Sequence, residues 1–477
     1  MKPSDVTVTD LFCGAGGQSQ GMQNVGARIV VALNHWPRAI ETHNTNFPDT
    51  YHEVVNISQA NPRRYGYSHI LCGSPECTNH AGAKGKKRSL QTEMVGLWDQ
   101  DADDAATRSR ATMWDIPRFA EQWGYEAIII ENVVEAAKWV MWDAWLLAMK
   151  SLGYDWKCLY LNSMHFHPVP QSRDRLYVVF WKRGNKAPDL EYAPLARCLK
   201  CGQDVNAIQS WKNPNYHWGK YKTQYNYCCP TCASIVEPYY YCAANAIDWG
   251  LQGERIGDRK RELAESTRTR ILAGLERMSR PDPVGYAAHI FDPATLKAMG
   301  DTYQTFLVTV SHGGPQNESR QRMITAPMQS QATNIQSAVV QTPMLIPLSY
   351  TGDRRVKFID QAMPTQTVRQ DLGLAIPQPF LISYNGADLG AHSLLGGMGA
   401  IATHDRHALV EPELLGNELT VEDCFFRMVT PREVQKAMAF PDEYIITGNQ
   451  RDKVHQLGNA CTPPVLAWIG ERVVATL

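Results

Sequence analysis

Cysteines, carboxylates and paired cations in this sequence fall at spacings that can do chemistry. Cys198-Leu-Lys-Cys201 and Cys229-Pro-Thr-Cys232 are two Cys-x2-Cys knuckles. Four thiolates in that pattern suit tetrahedral zinc with no open position, a structural site rather than a catalytic one. Cys228 is an alternative to Cys229, although the tight Cys-x2-Cys turn favours Cys229. Cys77 stands elsewhere, in Cys72-Gly-Ser-Pro-Glu-Cys77, ahead of the cationic tract Lys84-Gly-Lys-Lys-Arg88. A thiol on a loop beyond a strand can act as a nucleophile where its surroundings favour the thiolate. Lys and Arg beside it can bind phosphates. Cys72 lies inside the strand pattern and reads as a buried structural thiol. Glu131 ends the run Ile128-Ile-Ile, where a carboxylate at the edge of an apolar environment can hold and donate a proton. It also fits a plain helix-start glutamate. Arg173 and Arg175 alternate around Asp174. They can hold anionic or carbonyl groups, or simply pair with that aspartate. Asp10-Leu-Phe-Cys-Gly14-Ala-Gly16-Gly17 lets a backbone approach a ligand at a helix N-terminus. A tight turn with no ligand is the other reading.

These residues need a frame that brings strand ends together. Val6–Phe12, Arg28–Asn34, His69–Gly73, Ala127–Val133, Lys157–Asn162 and Leu176–Trp181 read as buried strands. Helix-period stretches such as Val134–Lys150 lie between them. Strand–helix alternation implies an α/β fold, a doubly wound, mainly parallel sheet with helices on both faces. The glycine turn, Asn34, Cys77 and Glu131 then fall at the ends of strands, where open α/β sheets hold ligands. Residues 184–196 read as a linker. A polar helix is expected over 261–278. The runs at 306–314, 344–352 and 380–386 each pass from apolar residues to Ser, Tyr or His and then Gly. A repeat of roughly 35–40 residues suggests a recurring β-hairpin unit. Thr430-Pro431-Arg-Glu433 reads as a capped helix start.

In this order the motifs resemble the DNA (cytosine-5) methyltransferase family. Asp-Leu-Phe-Cys-Gly-Ala-Gly-Gly resembles the family's motif for S-adenosylmethionine (SAM), and Gly-Ser-Pro-Glu-Cys its nucleophile loop. Glu131-Asn-Val and Gln171-Ser-Arg-Asp-Arg175 match two further motifs. The stretches 427–444 and 456–465 resemble the last two. The resemblance implies a Rossmann-like SAM-binding catalytic domain over 1–183 and a β-rich target-recognition region over 184–425. That region would carry a zinc ribbon at about 196–242, and 426–477 would return to the catalytic domain. It implies Cys77 as the nucleophile on cytosine C6, with Glu131 contacting N3 and the exocyclic amine. Arg175 would hold the base O2 and Arg173 would support the loop. Phe12, Gly14, Gly16, Asn34, His35, Asn56, Ile57 and Asn459 would line the SAM pocket. The target base would be flipped out of duplex DNA. The pattern departs from the family at Glu76 and Thr78 around the nucleophile, at Ala81, and at Asn34 and Asn56, where acids are expected.

Composition limits the rest. The 477 residues exceed one ordinary core, and two or three domains are expected. Lys+Arg is 47 and Asp+Glu 48, which excludes a uniformly basic chain, so a nucleic-acid surface must be a local patch. Cys, 12 in all and with no export signal read at the start, points to reduced thiols. No apolar run is long enough for a membrane span. A cytoplasmic monomer acting on double-stranded DNA, in a restriction–modification setting, is the expectation. An RNA cytosine-5 methyltransferase and a decayed DNA-binding scaffold are the rivals. The aromatic and Lys-rich segment 211–227 either stacks on bases or fills the ribbon. Tips such as His312, Arg320, Arg369 and Arg406 are candidate DNA contacts.

Overall fold

The computed structural model describes residues 1–75, 112–241 and 430–477, with short segments between 243 and 428. Cys77, the Lys84–Arg88 tract, most of 261–278 and the tips His312, Arg320, Arg369 and Arg406 lie outside the described residues. The chain forms two units. One comprises Met1–Tyr241, Gly399–Asp405 and Thr430–Leu477, the other Cys242–Met398 and Arg406–Val429.

The first unit is an α/β fold on a mixed seven-stranded sheet. Its strands are β1 (Thr7–Leu11), β2 (Arg28–Asn34), β3 (Tyr51–Val54), β4 (Ile70–Gly73), β5 (Ala127–Asn132), β6 (Tyr154–Asn162) and β7 (Asp174–Lys182). They lie in the order β3-β2-β1-β4-β5-β7-β6. The five strands from β3 to β5 are parallel, and β7 runs antiparallel to both neighbours. Every residue of β4 and β5 is buried, as expected of central strands covered on both faces. The reversed strand sets Glu131 opposite Tyr177 and Asn132 opposite Leu176. Arg175 therefore arrives beside the carboxylate that ends β5.

The helices are α1 (Gly17–Asn24), α2 (Pro37–Asn46), α3 (Asp115–Trp123), α4 (Trp142–Ser151), α5 (Pro431–Ala437), α6 (Gln450–Asn459) and α7 (Pro463–Val474). Thr430 caps α5 in the expected capping box with Glu433. The sequence also suggested one helix over Val134–Lys150, and there the structure differs. A 3-10 turn spans Val134–Lys138, and α4 begins only at Trp142. The Val134 carbonyl, which a continuing helix would use, accepts the Trp218 indole N–H at 2.9 Å. Helix α1 docks closely on the C-terminal segment. A Cβ at Gly17 would lie 2.0 Å from the Cys461 carbonyl oxygen, and one at Gly21 2.5 Å from Leu466 Cβ.

The cysteine island belongs to this first unit. It is built of β8 (Leu195–Cys198) with β9 (Gln203–Asn206), and of β10 (Ile208–Trp211), β11 (Tyr225–Cys228) and β12 (Ile235–Val236). Tyr221, Tyr225 and Tyr227 are buried within it. These tyrosines fill the island rather than face solvent.

In the second unit, three sets of antiparallel strands share one pattern. Phe306–Thr309 lies between Gln321–Met323 and Ser337–Val340. Met344–Pro347 lies between Lys357–Phe358 and Leu372–Ala375. Phe380–Ser383 lies between Ala391–Ser393 and His407–Pro412, in a sheet continued by Cys424–Met428 and Glu254–Arg255. Each middle strand opens one of the three sequence repeats.

Candidate active site

The chain leaves β1 through a turn that only a small backbone can follow. Phe12, Gly14 and Gly16 all have positive φ, at 60°, 53° and 85°. Gly14 is less confined, since a Cβ there would meet only the Phe12 carbonyl oxygen, in ordinary contact at 3.9 Å. Gly16 is enclosed instead. Its Cβ would meet the Tyr444 hydroxyl, which itself donates to the Ala15 carbonyl. Tyr444 thus holds the glycine turn from the C-terminal segment.

The other residues expected around a cofactor lie on neighbouring strand ends. Asn34 ends β2, and its Oδ1 accepts the Trp36 backbone N–H at 2.9 Å, so its amide N–H groups are what it can offer a hydroxyl. His35 follows and is exposed. The Trp36 ring meets His455 edge-on at 4.8 Å, one helical turn before Asn459 on α6. Asn56 caps the turn Ile57–Gln59, accepting the Ser58 N–H at 3.2 Å, while Ile57 is buried. Arg118, which sequence reasoning missed, donates to the carbonyls of Ile57 and Ala60 and pairs with Asp115 at 2.8 Å. Its only sequence signal is an arginine three residues after an aspartate in a helix pattern.

Beneath the glycine turn runs a buried polar chain. Asp10 Oδ2 accepts the Ser19 hydroxyl at 2.7 Å, Ser19 Oγ meets His43 Nε2 at 2.9 Å, and His43 Nδ1 meets His52 Nε2 at 2.7 Å. Burial pushes the Asp10 carboxyl up to about 7. Burial, together with the neighbouring His52, holds the His43 imidazole well below its ordinary range.

Between β5 and β7 the buried Glu131 pairs with the half-buried Arg175, with Arg175 Nε 2.9 Å from Glu131 Oε1. Arg173 makes its hydrogen bonds elsewhere than Arg175, although both lie near enough to Glu131 to feel its charge. Strand β7 begins only at Asp174, and the buried Arg173 donates instead to the carbonyls of Gly458 and Ala460, at 3.0 and 3.1 Å. It ties the C-terminal segment to the start of β7. Burial draws its guanidinium down to about 10. Asn132, beside Glu131, donates to the Pro75 carbonyl at 3.3 Å. Pro75 stands two residues before Cys77 in the chain. Ser74 contacts Cys461 Sγ at 3.0 Å and Gln18 of α1. The stem of the Cys77 loop is thus held by β5, by the glycine helix and by the C-terminal segment together.

The four island cysteines converge. Cys198 Sγ and Cys232 Sγ are 3.6 Å apart, Cys201 and Cys229 are 3.8 Å apart, and all four sulfurs lie within 4.8 Å of one another. Cys229, not Cys228, joins the set. Among the described residues no helix is long and apolar enough to cross a membrane.

A family model described as C-5 cytosine-specific DNA methylase matches residues 6–234 and 401–475, more than half of the chain. Type II methyltransferase M.AgeI of Thalassovita gelatinovora is 26% identical over 181 residues, 35% of this chain and 38% of that protein. Type II methyltransferase M.HgiDI of Herpetosiphon aurantiacus is 27% identical over 224 residues, 46% of this chain and 64% of that protein. The chain thus spans less than two thirds of either relative. Among solved structures, a methyltransferase of Entamoeba histolytica, EhMeth, aligns at 12% identity with a TM-score of 0.43, over 99% of this chain and 98% of that one.

Proposed function

This chain belongs to the C-5 cytosine-specific DNA methylase family, and on that premise we propose that it moves a methyl group from SAM to C5 of a cytosine in double-stranded DNA. The observation that carries the reading is the Glu131–Arg175 pair at 2.9 Å, next to the asparagine that holds Pro75. A carboxylate, a cation and the stem of a cysteine loop meet there. The relatives' names, Type II methyltransferases, agree with DNA as substrate.

The residues present fit SAM. Gly14 has room for a close approach at its left-handed turn, and the Asn34 amide, the Asn56-capped turn and Asn459 lie on strand and helix ends. Phe12, Gly14, Gly16, Asn34, His35, Asn56, Ile57 and Asn459 would hold it. When bound, SAM supplies a methyl carbon activated by a sulfonium sulfur. Cys77 as thiolate forms a bond to C6 of the flipped cytosine, and the ring electrons move towards C5 and N3. Glu131 contacts N3 and the exocyclic amine as N3 gains a proton, and Arg175 holds O2. After C5 has taken the methyl group, a base removes the C5 proton and the C6–S bond breaks, returning the Cys77 thiolate.

Zinc is the ion that fits the island. Tetrahedral Zn–S bonds of about 2.3 Å place sulfurs about 3.8 Å apart, close to the separations of 3.6 and 3.8 Å seen here. Residues 184–425, with the repeated three-strand sets, are proposed as the target-recognition region.

The test is a duplex carrying 5-fluorocytosine with SAM. The fluorine cannot leave as a proton does, so the unaltered chain is expected to form a covalent adduct that Cys77→Ala does not. Adduct formation by Cys77→Ala would refute the nucleophile. Trapping on RNA alone would move the substrate, and tight DNA binding with no adduct on any nucleic acid would favour a decayed scaffold. Fewer than one zinc per purified chain, with no loss of stability on chelation, would refute the metal site.

A further inference from the structure

The cysteine ribbon touches the two segments that carry the Glu131–Arg175 pair. The segment between its knuckles reaches the 3-10 turn that follows β5. There the Trp218 indole N–H donates to the Val134 carbonyl at 2.9 Å. The Lys138 ammonium lies 3.7 Å from the Trp218 ring centroid, and Lys220 Nζ pairs with Glu135 Oε1 at 2.6 Å. Val134 and Glu135 come three and four residues after Glu131. The same segment also reaches the start of β7. The Tyr221 backbone N–H donates to Asp174 Oδ1 at 2.9 Å. Asp174 stands between Arg173 and Arg175, and strand alternation sends its side chain away from the face that Arg175 uses. Lys220 also acts on Asp174, since its charge favours the ionised carboxylate against the burial that raises it.

Three positions of the ribbon region, 218, 220 and 221, therefore grip the residues after the glutamate and before the arginine. Elsewhere the ribbon is anchored on the same sheet. Gln209 donates to the Tyr160 carbonyl at 2.9 Å, and the Trp211 ring meets Tyr160 edge-on at 5.7 Å. Trp211 and Trp218, among the aromatic residues that sequence alone offered as base-stacking groups, are used in these contacts, while Tyr216 is exposed.

We propose that the ribbon is a brace for the catalytic pair, with Trp218, Lys220 and the Tyr221 amide acting as positioning groups that lock the turn after Glu131 to the residue before Arg175. This rests on the reading of Glu131 and Arg175 as catalytic. The brace matters because a shift of about 1 Å in an acting group can lower a rate on the order of 100-fold. A structural metal far from the reacting atoms would then support the rate by fixing that geometry.

The test compares the full-length chain with Trp218→Phe, Lys220→Met, the two combined, Lys220→Arg, and Ile235→Thr as a control on the ribbon's exposed side. Phe keeps a ring but removes the indole N–H. The combined variant is expected to speed backbone hydrogen exchange at 131–138 and 172–177 roughly 10-fold, with exchange at 12–18 and zinc content unchanged. Its kcat for methyl transfer to a duplex should fall about 10-fold, with KM for SAM within about twofold. Lys220→Arg should restore most of the rate, and Ile235→Thr should match the unaltered chain. Unchanged exchange at 131–138 and 172–177 overturns the brace. Faster exchange with an unchanged kcat overturns its role in positioning. An unaltered chain that transfers no methyl group overturns the functional reading instead, and exchange alone then decides whether the brace exists.

Discussion

His165 makes the packing of the ribbon on the sheet sensitive to pH. The side chain is 3% exposed, and among the described residues neither ring nitrogen has a hydrogen-bond partner. Its ring is met edge-on by Tyr221 at 4.6 Å and Tyr227 at 5.0 Å, both at 89°. Burial pushes its pKa down from 6.5 to about 3. In the unfolded chain the imidazole takes up a proton below about pH 6.5, while in the fold it stays neutral. The stabilisation is therefore complete above the unfolded value and is lost as the pH falls towards the folded one. Linkage over that window makes the unaltered chain lose about 2 kcal/mol between pH 7 and pH 5 on account of this one group. His165→Phe keeps a ring between the two tyrosines and removes the titration. The backbone carbonyl of residue 165, which accepts the Tyr192 hydroxyl, is retained. Urea unfolding followed by tryptophan fluorescence at both pH values measures the difference. The variant is expected to lose about 2 kcal/mol less than the unaltered chain. Thiolate ligands protonate alike in both chains, so the comparison isolates the imidazole. Equal losses would refute the reasoning, because they would mean that His165 reaches solvent or a partner in the fold.

Gly17→Ala should destabilise the first unit by about 1–3 kcal/mol or more in the same assay, because its methyl would lie 2.0 Å from the Cys461 carbonyl oxygen; a stability equal to the unaltered chain would mean that α1 and the C-terminal segment pack less closely. Arg118→Gln should weaken SAM binding by roughly 5–10-fold in calorimetry while leaving kcat at saturation nearly unchanged, since the guanidinium holds the turn behind Asn56 and pairs with Asp115. Unaltered SAM affinity would remove Arg118 from the pocket's support. Asp10→Asn acts in the opposite pH sense to His165. The folded carboxyl titrates near 7 rather than 3.8, so its stabilisation is present at acid pH and is lost as the pH rises through that window. The variant should therefore show a smaller loss of stability between pH 5 and pH 8.

The ends of strands were legible because hydrophobic runs mark buried strands and polar residues mark where they stop. Glu131 is the clearest case, since Ile128-Ile-Ile can only be a central strand and the first carboxylate after it must lie at its edge. The knuckle cysteines were legible for a different reason, since their spacing is local and the metal geometry demands it. Strand β3 was not, because Tyr51-His-Glu-Val54 is a short edge strand with no fully buried residue to create a pattern. The reversal of β7 was hidden as well. Its apolar run looks the same in either direction, and only pairing with β5 and β6 reveals which way it goes.

The break in the 134–150 helix shows what one-dimensional patterns omit. The residues there have adequate helix propensity, and nothing local stops the helix. At that break the Trp218 indole, from a residue about eighty positions away, donates to the Val134 carbonyl. The same contact leaves the turn after Glu131 pinned at a fixed place. Sequence reading could place the carboxylate at the end of its strand and the tryptophan in a ribbon. It had no means of joining them, because the link is a hydrogen bond between two elements whose approach depends on the whole sheet. Here a distant residue holds a backbone group within three residues of Glu131, where no local pattern announces it.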